Sequence, residues 1–230
     1  MQSDALKWRT EQKYIADERS LSVIEGRIAE ICQLDNHAAN GIYTIRSLYF
    51  DTFDNRFLYE NIDGTDYREK YRIRIYNGDI SNITLECKVK QNGKNRKESV
   101  RVSKEFVDVL LQGGIPDVGI SDNKCMNRFR ILYDTEYLRP KTIVSYERTP
   151  YVFPIGNVRV TFDRNISGSN DISNFLSGDF LSRPVMPQGK SILEVKYDEF
   201  LPGDIQNMLQ VDSITQTAFS KYYYCRHFCG

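Results

Sequence analysis

Apolar and polar residues alternate strictly along several segments of this sequence, a pattern typical of β-strands that bury one face. The clearest segment runs from Tyr67 to Tyr76, where Tyr71, Ile73 and Ile75 share one face. The residues that alternate with them are the cations Lys70, Arg72 and Arg74. The segment therefore predicts a strand with one apolar side and one strongly basic side.

Two Asn-Gly pairs predict tight hairpin turns after this strand and after the next one. Asn77-Gly78 ends the first strand, and Asn92-Gly93 follows a second alternating segment from Asn82 to Lys90. A third segment, from about Lys97 to Val102, follows the second turn. The three segments therefore predict an antiparallel meander.

Five further strands and five helices complete the predicted elements, giving about eight strands in all. The strands are Trp8–Ile15, Ile42–Asp51, Thr142–Thr149, Asn157–Asn165 and Ser191–Asp198. The helices are Leu21–Leu34 after Ser20, Lys104–Leu111 after a Ser103 cap, Asn123–Leu138, Asp204–Leu209 and Thr217–His227. We expect an α+β fold, mainly antiparallel β, with its helices packed outside the sheet.

One segment, Gly168–Gly189, is predicted to be the most mobile loop because it is rich in Ser, Asn, Gly and Pro. Four large apolar residues within it indicate that part of the loop is packed against the rest of the protein. They are Phe175, Leu176, Phe180 and Leu181.

The composition fits one domain and gives no sign of a nucleic-acid partner. The 230 residues contain 31 Lys and Arg against 31 Asp and Glu, so any basic site must come from local arrangement. No apolar run approaches the roughly 20 residues that span a bilayer, and charges near the start leave no room for a secretory signal. We therefore expect a single domain over residues 1–230, cytoplasmic and without direct membrane insertion.

The five cysteines are predicted to be free thiols, because the cytoplasm is reducing and their number is odd. Cys32, Cys87 and Cys125 fit core positions. Cys225, His227 and Cys229 could be interpreted as a metal clip, but their spacing matches no common zinc pattern and a fourth ligand is missing.

The polar faces of the predicted strands are rich in long cations interrupted by a few glutamates. They carry Arg9, Glu11, Lys13, Arg46, Lys70, Arg72, Arg74, Glu86, Lys88, Lys97, Arg101, Arg148, Arg159, Glu194 and Lys196. A solvated sheet face alternates in the same way, so periodicity alone favours that simpler interpretation. Recurrent Arg with isolated Glu instead suits phosphate and a divalent metal, because a guanidinium binds two phosphate oxygens and a carboxylate binds Mg²⁺ or Mn²⁺. A closed barrel with a polar interior would bring these side chains together.

Eight short blocks of the sequence resemble the VTC domain and follow one another in the order of that family. They are Arg9–Tyr14, Ile45–Asp51, Tyr71–Arg74, Leu85–Lys88, Ser145–Tyr151, Arg159–Asp163, Leu193–Lys196 and Phe219–Tyr222. The VTC domain is the polyphosphate polymerase domain of the vacuolar transporter chaperone complex and belongs to the triphosphate tunnel metalloenzymes. The resemblance implies an eight-stranded closed β-tunnel, transfer of the γ-phosphate of ATP onto a growing polyphosphate chain, and Mn²⁺ or Mg²⁺ as cofactor.

The resemblance also implies roles for individual residues. The positions that match phosphate-binding residues of the family, and that we expect to be catalytic, are Lys13, Arg72, Arg74, Lys88, Arg148, Arg159 and Lys221. Further substrate contacts are expected from Arg9, Arg46, Lys70, Lys97, Arg101 and Lys196. Glu194 matches the metal-binding carboxylate of the family. Glu11 and Glu86 are weaker metal candidates, and either could equally be an ion-pair partner that orients a cation.

Three hypotheses of function differ in the group that accepts the phosphate. A polymerase uses polyphosphate, a tripolyphosphatase or nucleoside triphosphatase uses water oriented by Glu11 or Glu86, and a non-catalytic module only binds its ligand for a partner protein. The presence of Glu194 and the cations favours the polymerase. ATP and polyphosphate are the expected ligands, and a membrane-protein or other protein partner stays open. Because the sequence lacks the transmembrane helices and inositol-phosphate-sensing domain of the eukaryotic arrangement, we expect a stand-alone form.

Overall fold

A computed structural model describes residues 7–36, 38, 40–116, 119, 121–212 and 214–229. The chain divides into two compact units. Unit 1 contains the described residues up to Thr44, together with Tyr146–Ile166 and Met186–Phe219. Unit 2 contains Ile45–Ser145, Ser167–Val185 and the described residues from Ser220 onward.

The described residues form eleven strands, of which eight are at least eight residues long. They are β1 (Thr10–Asp17), β2 (Gln33–Leu34), β3 (Tyr43–Asp51), β4 (Arg68–Tyr76), β5 (Ile83–Gln91), β6 (Lys94–Val102), β7 (Arg139–Phe153), β8 (Val158–Ser169), β9 (Arg183–Pro184), β10 (Lys190–Tyr197) and β11 (Thr215–Gln216). Each of the eight long strands overlaps one predicted strand. The mainly antiparallel α+β class is therefore confirmed.

Six α-helices are present in the described part of the chain, five of which overlap predicted helices. They are α1 (Glu18–Ala29), α2 (Arg56–Ile62), α3 (Lys104–Leu111), α4 (Lys124–Thr135), α5 (Gly203–Met208) and α6 (Lys221–Cys229). The predicted start of α1 at Leu21 is wrong, because the Asp17 side chain caps the helix by accepting from Ser20 N at 2.8 Å. Helix α2 is new: the Asp51 carboxylate accepts from its Phe57 N.

Strand pairing gives an ordered sheet in each unit. In unit 1 the order is β11-β1-β10-β8-β7, and in unit 2 it is β7-β3-β4-β5-β6. Strand β1 pairs antiparallel with β10, β10 with β8, and β3 to β6 with one another in order. These orders end on edge strands, β11 and β6, so the pairing of the described strands shows an open sheet rather than the expected closed one.

The two predicted hairpin turns are confirmed in the unit 2 meander. Asn77 and Gly78 have φ of 51° and 71°, and Asn92 and Gly93 have φ of 50° and 71°. Positive φ at both central residues is the requirement of a type I′ turn, whose twist matches that of the strands it joins. The Asn92-Gly93 turn joins the paired residues Gln91 and Lys94 directly and so fixes the register of β5 with β6, whereas Asn77-Gly78 lies within the longer loop between β4 and β5.

Each unit has its own apolar core, on the face of the sheet opposite the charged side chains. In unit 1, Val160, Leu193 and Val195 pack with Leu21 and Ile24 of α1. In unit 2, the ring of Phe129 on α4 contacts the rings of Phe50, Tyr71 and Phe106, with centroids 5.1, 6.0 and 6.3 Å apart. This burial fixes which face of each strand turns away from the helices.

The Gly168–Gly189 segment is ordered in part. Phe175 is fully buried, as expected of a residue that ties the loop down, whereas Leu181 is exposed. Strand β8 also extends into the segment as far as Ser169.

All five cysteines are free thiols, and Cys32, Cys87, Cys125 and Cys225 are buried. Burial raises the pKa of Cys87 and of Cys125 to about 12. In the part of the chain that the structure describes, no helix is both long and apolar enough to cross a membrane.

Candidate functional site

One face of strands β4, β5 and β6 in unit 2 carries eight cations and one carboxylate. The cations are Arg68, Lys70, Arg72, Arg74, Lys88, Lys90, Lys97 and Arg101, and the carboxylate is Glu86. In the register, Lys70 lies opposite Lys88 and Lys88 opposite Lys97, so like charges adjoin across three strands. Such rows are destabilising without an anion. We call this surface the basic face.

Glu86 forms ion pairs with three cations at the centre of the basic face. Its side chain lies 2.7 Å from Arg72 Nη2, 3.6 Å from Arg74 Nη1 and 3.1 Å from Lys97 Nζ. Burial alone would raise the pKa of Glu86, but the positive charges of Arg74, Arg72 and Lys97 hold it well below its usual value. Glu86 is therefore ionised and acts as an ion-pair partner that orients two guanidinium groups. The alternative role as a metal ligand gains no support from this arrangement.

Two tyrosines, which the sequence patterns did not single out, complete the positioning of these arginines. Arg72 Nη1 donates to the Tyr49 hydroxyl at 2.8 Å, and Arg74 Nη1 donates to the Tyr76 hydroxyl at 3.2 Å. Arg74 Nε also donates to Ser47 Oγ at 3.4 Å. The register could have revealed Tyr49, because it pairs directly with Arg72.

Lys221, at the start of α6, adds its charge to this group. Burial tends to raise the pKa of Tyr49, but the charges of Arg72, Arg74 and Lys221 together lower it. Lys221 is itself buried. The structure thus brings Lys221, predicted from the family resemblance, close to the two arginines in the same unit.

The remaining predicted cations of unit 2 are less enclosed. Lys70 Nζ donates to Asn61 Oδ1 at 2.7 Å and to Ser220 Oγ at 2.8 Å. Lys97 keeps 51% of its side-chain surface exposed, and Arg101 is exposed at the end of β6. These side chains lie around Arg72 and Arg74 on the same face.

A second charged face lies on β1, β8 and β10 in unit 1. In the register, Lys13 lies opposite Glu194, and Lys196 lies opposite both Glu11 and Arg159. Lys196 Nζ is 2.8 Å from Glu194 Oε1 and 3.8 Å from Glu11 Oε2. Lys13 Nζ is 3.0 Å from Glu11 Oε1. Burial lowers the pKa of Lys196, although Glu194 and Glu11 oppose the shift.

Arg148, on β7, is fixed by two acidic residues of the same unit. Its Nε and Nη2 lie 2.6 and 2.7 Å from the two Asp163 carboxylate oxygens, and its Nη2 lies 3.2 Å from Glu194 Oε2. Burial would lower the pKa of Arg148, but the charge of Asp163 raises it well above its usual value. The sequence did not identify Asp163, although it alternates with Arg159 on β8 and so shares the charged face.

The carboxylates of unit 1 fit a metal that takes most of its ligands from a substrate. Among the described residues, no three His, Cys, Asp or Glu side chains come together to hold a metal, and this includes Cys225, His227 and Cys229. Glu194 and Glu11 nevertheless both reach Lys196. Mg²⁺ and related ions bind with one or two carboxylates when phosphate oxygens and water complete the shell. Glu194 and Glu11 are therefore an adequate protein contribution.

Arg46 does not belong to the basic face, so its expected place there is wrong. It pairs with Ile75, which puts it on the apolar face of β3. Its Nη1 donates to the Phe175 carbonyl at 2.5 Å and to the Leu176 carbonyl at 3.3 Å. Arg46 therefore ties the Gly168–Gly189 segment to the sheet.

Arg9 and Arg159 each pair with an aspartate within unit 1. Arg9 Nε lies 2.9 Å from Asp198 Oδ1, where β1 begins. Arg159 Nη2 lies 2.7 Å from Asp35 Oδ2. A phosphate ligand at either arginine would compete with these carboxylates.

The comparison with protein families gives one result that covers almost the whole chain. The family model of the VTC domain matches residues 8–228. The chain belongs to the VTC-domain family. The resemblance carried by the eight sequence blocks is therefore confirmed. No curated protein matches the sequence of this VTC domain.

Solved structures similar to this VTC domain share little sequence with it. A candidate adenylate cyclase from Bacillus halodurans aligns with a TM-score of 0.50 and 13% identity, over 89% of this chain and 87% of that one. A candidate adenylyl cyclase from Hippeastrum, described as having a dominant triphosphatase activity, aligns at 0.46 and 11%, over 88% and 84%. The Mimivirus capping-enzyme triphosphatase aligns at 0.35 and 14%, over 86% and 84%. At 13% identity, the Bacillus halodurans structure shows only that the fold is shared.

Proposed function

We propose that this VTC domain is a metal-dependent phosphotransferase that moves the γ-phosphate of ATP onto a growing polyphosphate chain. The observation that carries the proposal is the basic face, with eight cations and one carboxylate on three adjacent strands. A polyanion with regularly spaced charges would relieve the repulsion between these rows.

The arginines of the basic face are held in place before any ligand arrives. Arg72 is bonded to Glu86 and Tyr49, and Arg74 to Glu86, Tyr76 and Ser47. Phosphoryl transfer depends mainly on positioning the phosphates and neutralising charge on their oxygens. Fixed guanidinium groups serve both purposes, because they lose little conformational freedom when phosphate binds.

In unit 1, Glu194 with Glu11 would hold Mn²⁺ or Mg²⁺, which supplies charge neutralisation at the phosphate oxygens when bound. Arg148 stays positively charged whatever the pH of the cell, because Asp163 and Glu194 surround it. In unit 2, Lys88 and Lys221 neutralise the transferred group in this proposal. Lys196 lies between Glu194 and Glu11 and keeps their charges balanced in the free protein.

The same observations make a triphosphatase the second candidate function. A hydrolase needs a carboxylate that orients water, and Glu86 is a poor base because three cations hold its pKa well below the usual value. Glu11 is paired with Lys13 and Lys196. The end of a polyphosphate chain, in contrast, is already an anionic oxygen and needs no general base.

Product analysis tests the proposal. The pure protein is incubated with ATP and Mn²⁺, and the products are separated by chain length. Long polyphosphate that is lost in Arg72→Lys and kept in the surface variant Lys94→Ala is the expected result. Free phosphate alone would establish a triphosphatase, and an absence of turnover together with tight polyphosphate binding would establish a binding module.

A further inference from the structure

The hydroxyl of Tyr49 lies on the basic face, beside a donor, and its proton has no acceptor among the described residues. Arg72 Nη1 donates to this hydroxyl at 2.8 Å. A phenol hydroxyl accepts and donates at the same time. Among the residues that the structure describes, none accepts the Tyr49 proton.

The charged groups that act on Tyr49 offer donors and no acceptor. They are Arg72 and Arg74 on β4 and Lys221 on α6. The carboxylate of Glu86 accepts instead from Arg72 Nε at 2.8 Å. Tyr49 is only 6% exposed, and a buried hydroxyl without an acceptor is unfavourable. A ligand with several anionic oxygens would supply the missing acceptor.

The direction of the Tyr49 side chain is fixed by the residues that pack against its ring. Its ring stacks on that of Tyr222 with centroids 5.2 Å apart and 24° between the planes. The Tyr222 hydroxyl donates to Asp51, whose carboxylate also accepts from Phe57 N and Leu58 N of α2. The Tyr49 hydroxyl therefore keeps one position, as a binding group must.

We propose that Tyr49 is a further phosphate-contacting residue, which donates its hydroxyl proton to an oxygen of the phosphate that Arg72 binds. The inference rests on the proposed function, since it takes tripolyphosphate or a longer polyphosphate as the ligand. Arg72 supplies charge, whereas Tyr49 supplies a neutral hydrogen bond of fixed direction. Tyr49 thus selects for an acceptor oxygen at one place rather than for negative charge in general.

The binding test uses tripolyphosphate and the full chain with a chelator present, so that no turnover occurs. Calorimetric titration compares the wild type, Tyr49→Phe and Tyr133→Phe. Tyr133 is a matched control, because its hydroxyl is also buried in unit 2 and donates to the Gly114 carbonyl at 2.6 Å. We expect Tyr49→Phe to bind on the order of 10-fold more weakly, as for loss of a hydrogen bond to a charged group. The control should bind as the wild type does.

Equal affinity of wild type and Tyr49→Phe would overturn the inference and leave the proposed function standing. A wild type that binds no tripolyphosphate would overturn both. Weaker binding by Tyr133→Phe to the same degree would show that any lost buried hydroxyl has this effect, and would also overturn the inference.

Titration of tyrosine absorbance separates direct contact from a role that only holds Arg72. Bound phosphate should raise the pKa of Tyr49, because the phosphate needs the phenol proton and its charge opposes the phenolate. The wild type and Tyr133→Phe should both show one tyrosine whose pKa rises when tripolyphosphate is added. Persistence of that shift in Tyr49→Phe would assign it to another tyrosine and contradict the proposed contact.

Discussion

At the scale of single residues, the charges around Glu194 lead to the first prediction. Glu194→Gln removes the carboxylate charge without changing its shape, so ATP turnover at saturating Mn²⁺ should be lost. The fold should persist, because Lys196 keeps Glu11 and Arg148 keeps Asp163 as partners. Turnover and thermal unfolding are measured together. Unchanged turnover would exclude Glu194 as the metal ligand, and Glu147→Gln on the same strand as Arg148 is the control.

Arg74 leads to a prediction that separates geometry from charge. Lysine in its place keeps the charge but cannot contact Glu86, Tyr76 and Ser47 together, so polyphosphate should bind more weakly in Arg74→Lys. Binding of fluorescent polyphosphate is measured at two salt concentrations, and affinity should fall steeply with salt as counterions are released. The control Lys94→Ala removes an exposed charge and should change affinity only slightly. The opposite ranking of the two variants would place the ligand on the outer surface.

The alternation of residues predicted most of the charged side chains but not their partners. Arg72, Arg74 and Glu86 share a face because a strand has a period of two, which sequence shows directly. Arg46 was misplaced because its neighbours do not alternate: Leu48 and Phe50 share its face, and their apolar character outweighs one cation. Asp163 was not identified because its ion pair with Arg148 crosses from β8 to β7, and the alternation of β8 alone shows which face Asp163 is on but not its partner.

At the scale of elements, the hairpin turn after β5 leads to a prediction about backbone conformation. Gly93 has a φ of 71°, and an added Cβ would meet nothing within 4 Å. Gly93→Ala should therefore destabilise the fold by about 1 kcal/mol through backbone strain alone. Denaturant unfolding measures the change.

The matched control for this turn is Gly26 within α1, where an added Cβ also meets nothing within 4 Å. Its φ is not positive, so Gly26→Ala should stabilise the fold by about 0.5–1 kcal/mol, since alanine favours a helix. A loss of stability in both variants would mean that crowding rather than φ decides the outcome.

Elements with a local signal were predictable, and those held by distant groups were not. The Ser103 cap of α3 and the Asn123 cap of α4 act on the next residues of the chain, so sequence reveals them. Helix α2 follows Asn55 at φ of 58° without a side-chain cap from that residue. Its first amide, Arg56 N, donates to Thr52 Oγ1, and the next two donate to Asp51 at the end of β3. Both acceptors lie before Asn55, the residue at which a side-chain cap is normally expected.

At the scale of the whole molecule, Glu86 predicts how stability changes in acid. Its pKa in the folded protein lies well below the ordinary value, so its contribution is fully present above the unfolded pKa of about 4.3. The contribution is lost as pH falls through the folded value. Protonation would leave Arg72, Arg74 and Lys97 without their shared anion.

Glu86→Gln removes this dependence. The free energy of unfolding should differ most between the wild type and the variant near pH 7, and the difference should shrink as the pH falls below about 4. Denaturant titrations at several pH values measure it. A difference that stays constant down to acid would show that the stability of the wild type does not depend on the Glu86 charge.

The buried thiols of Cys87 on β5 and Cys125 on α4 make opening of the molecule measurable. A thiol reagent attacks the thiolate, and both groups are enclosed and hold their protons up to a pKa of about 12. Labelling of these two thiols therefore requires transient separation of α4 from the sheet. The labelling rate reports how often that separation occurs. If a polyphosphate ligand slows labelling, binding on one side of β5 makes the separation on its other side less frequent.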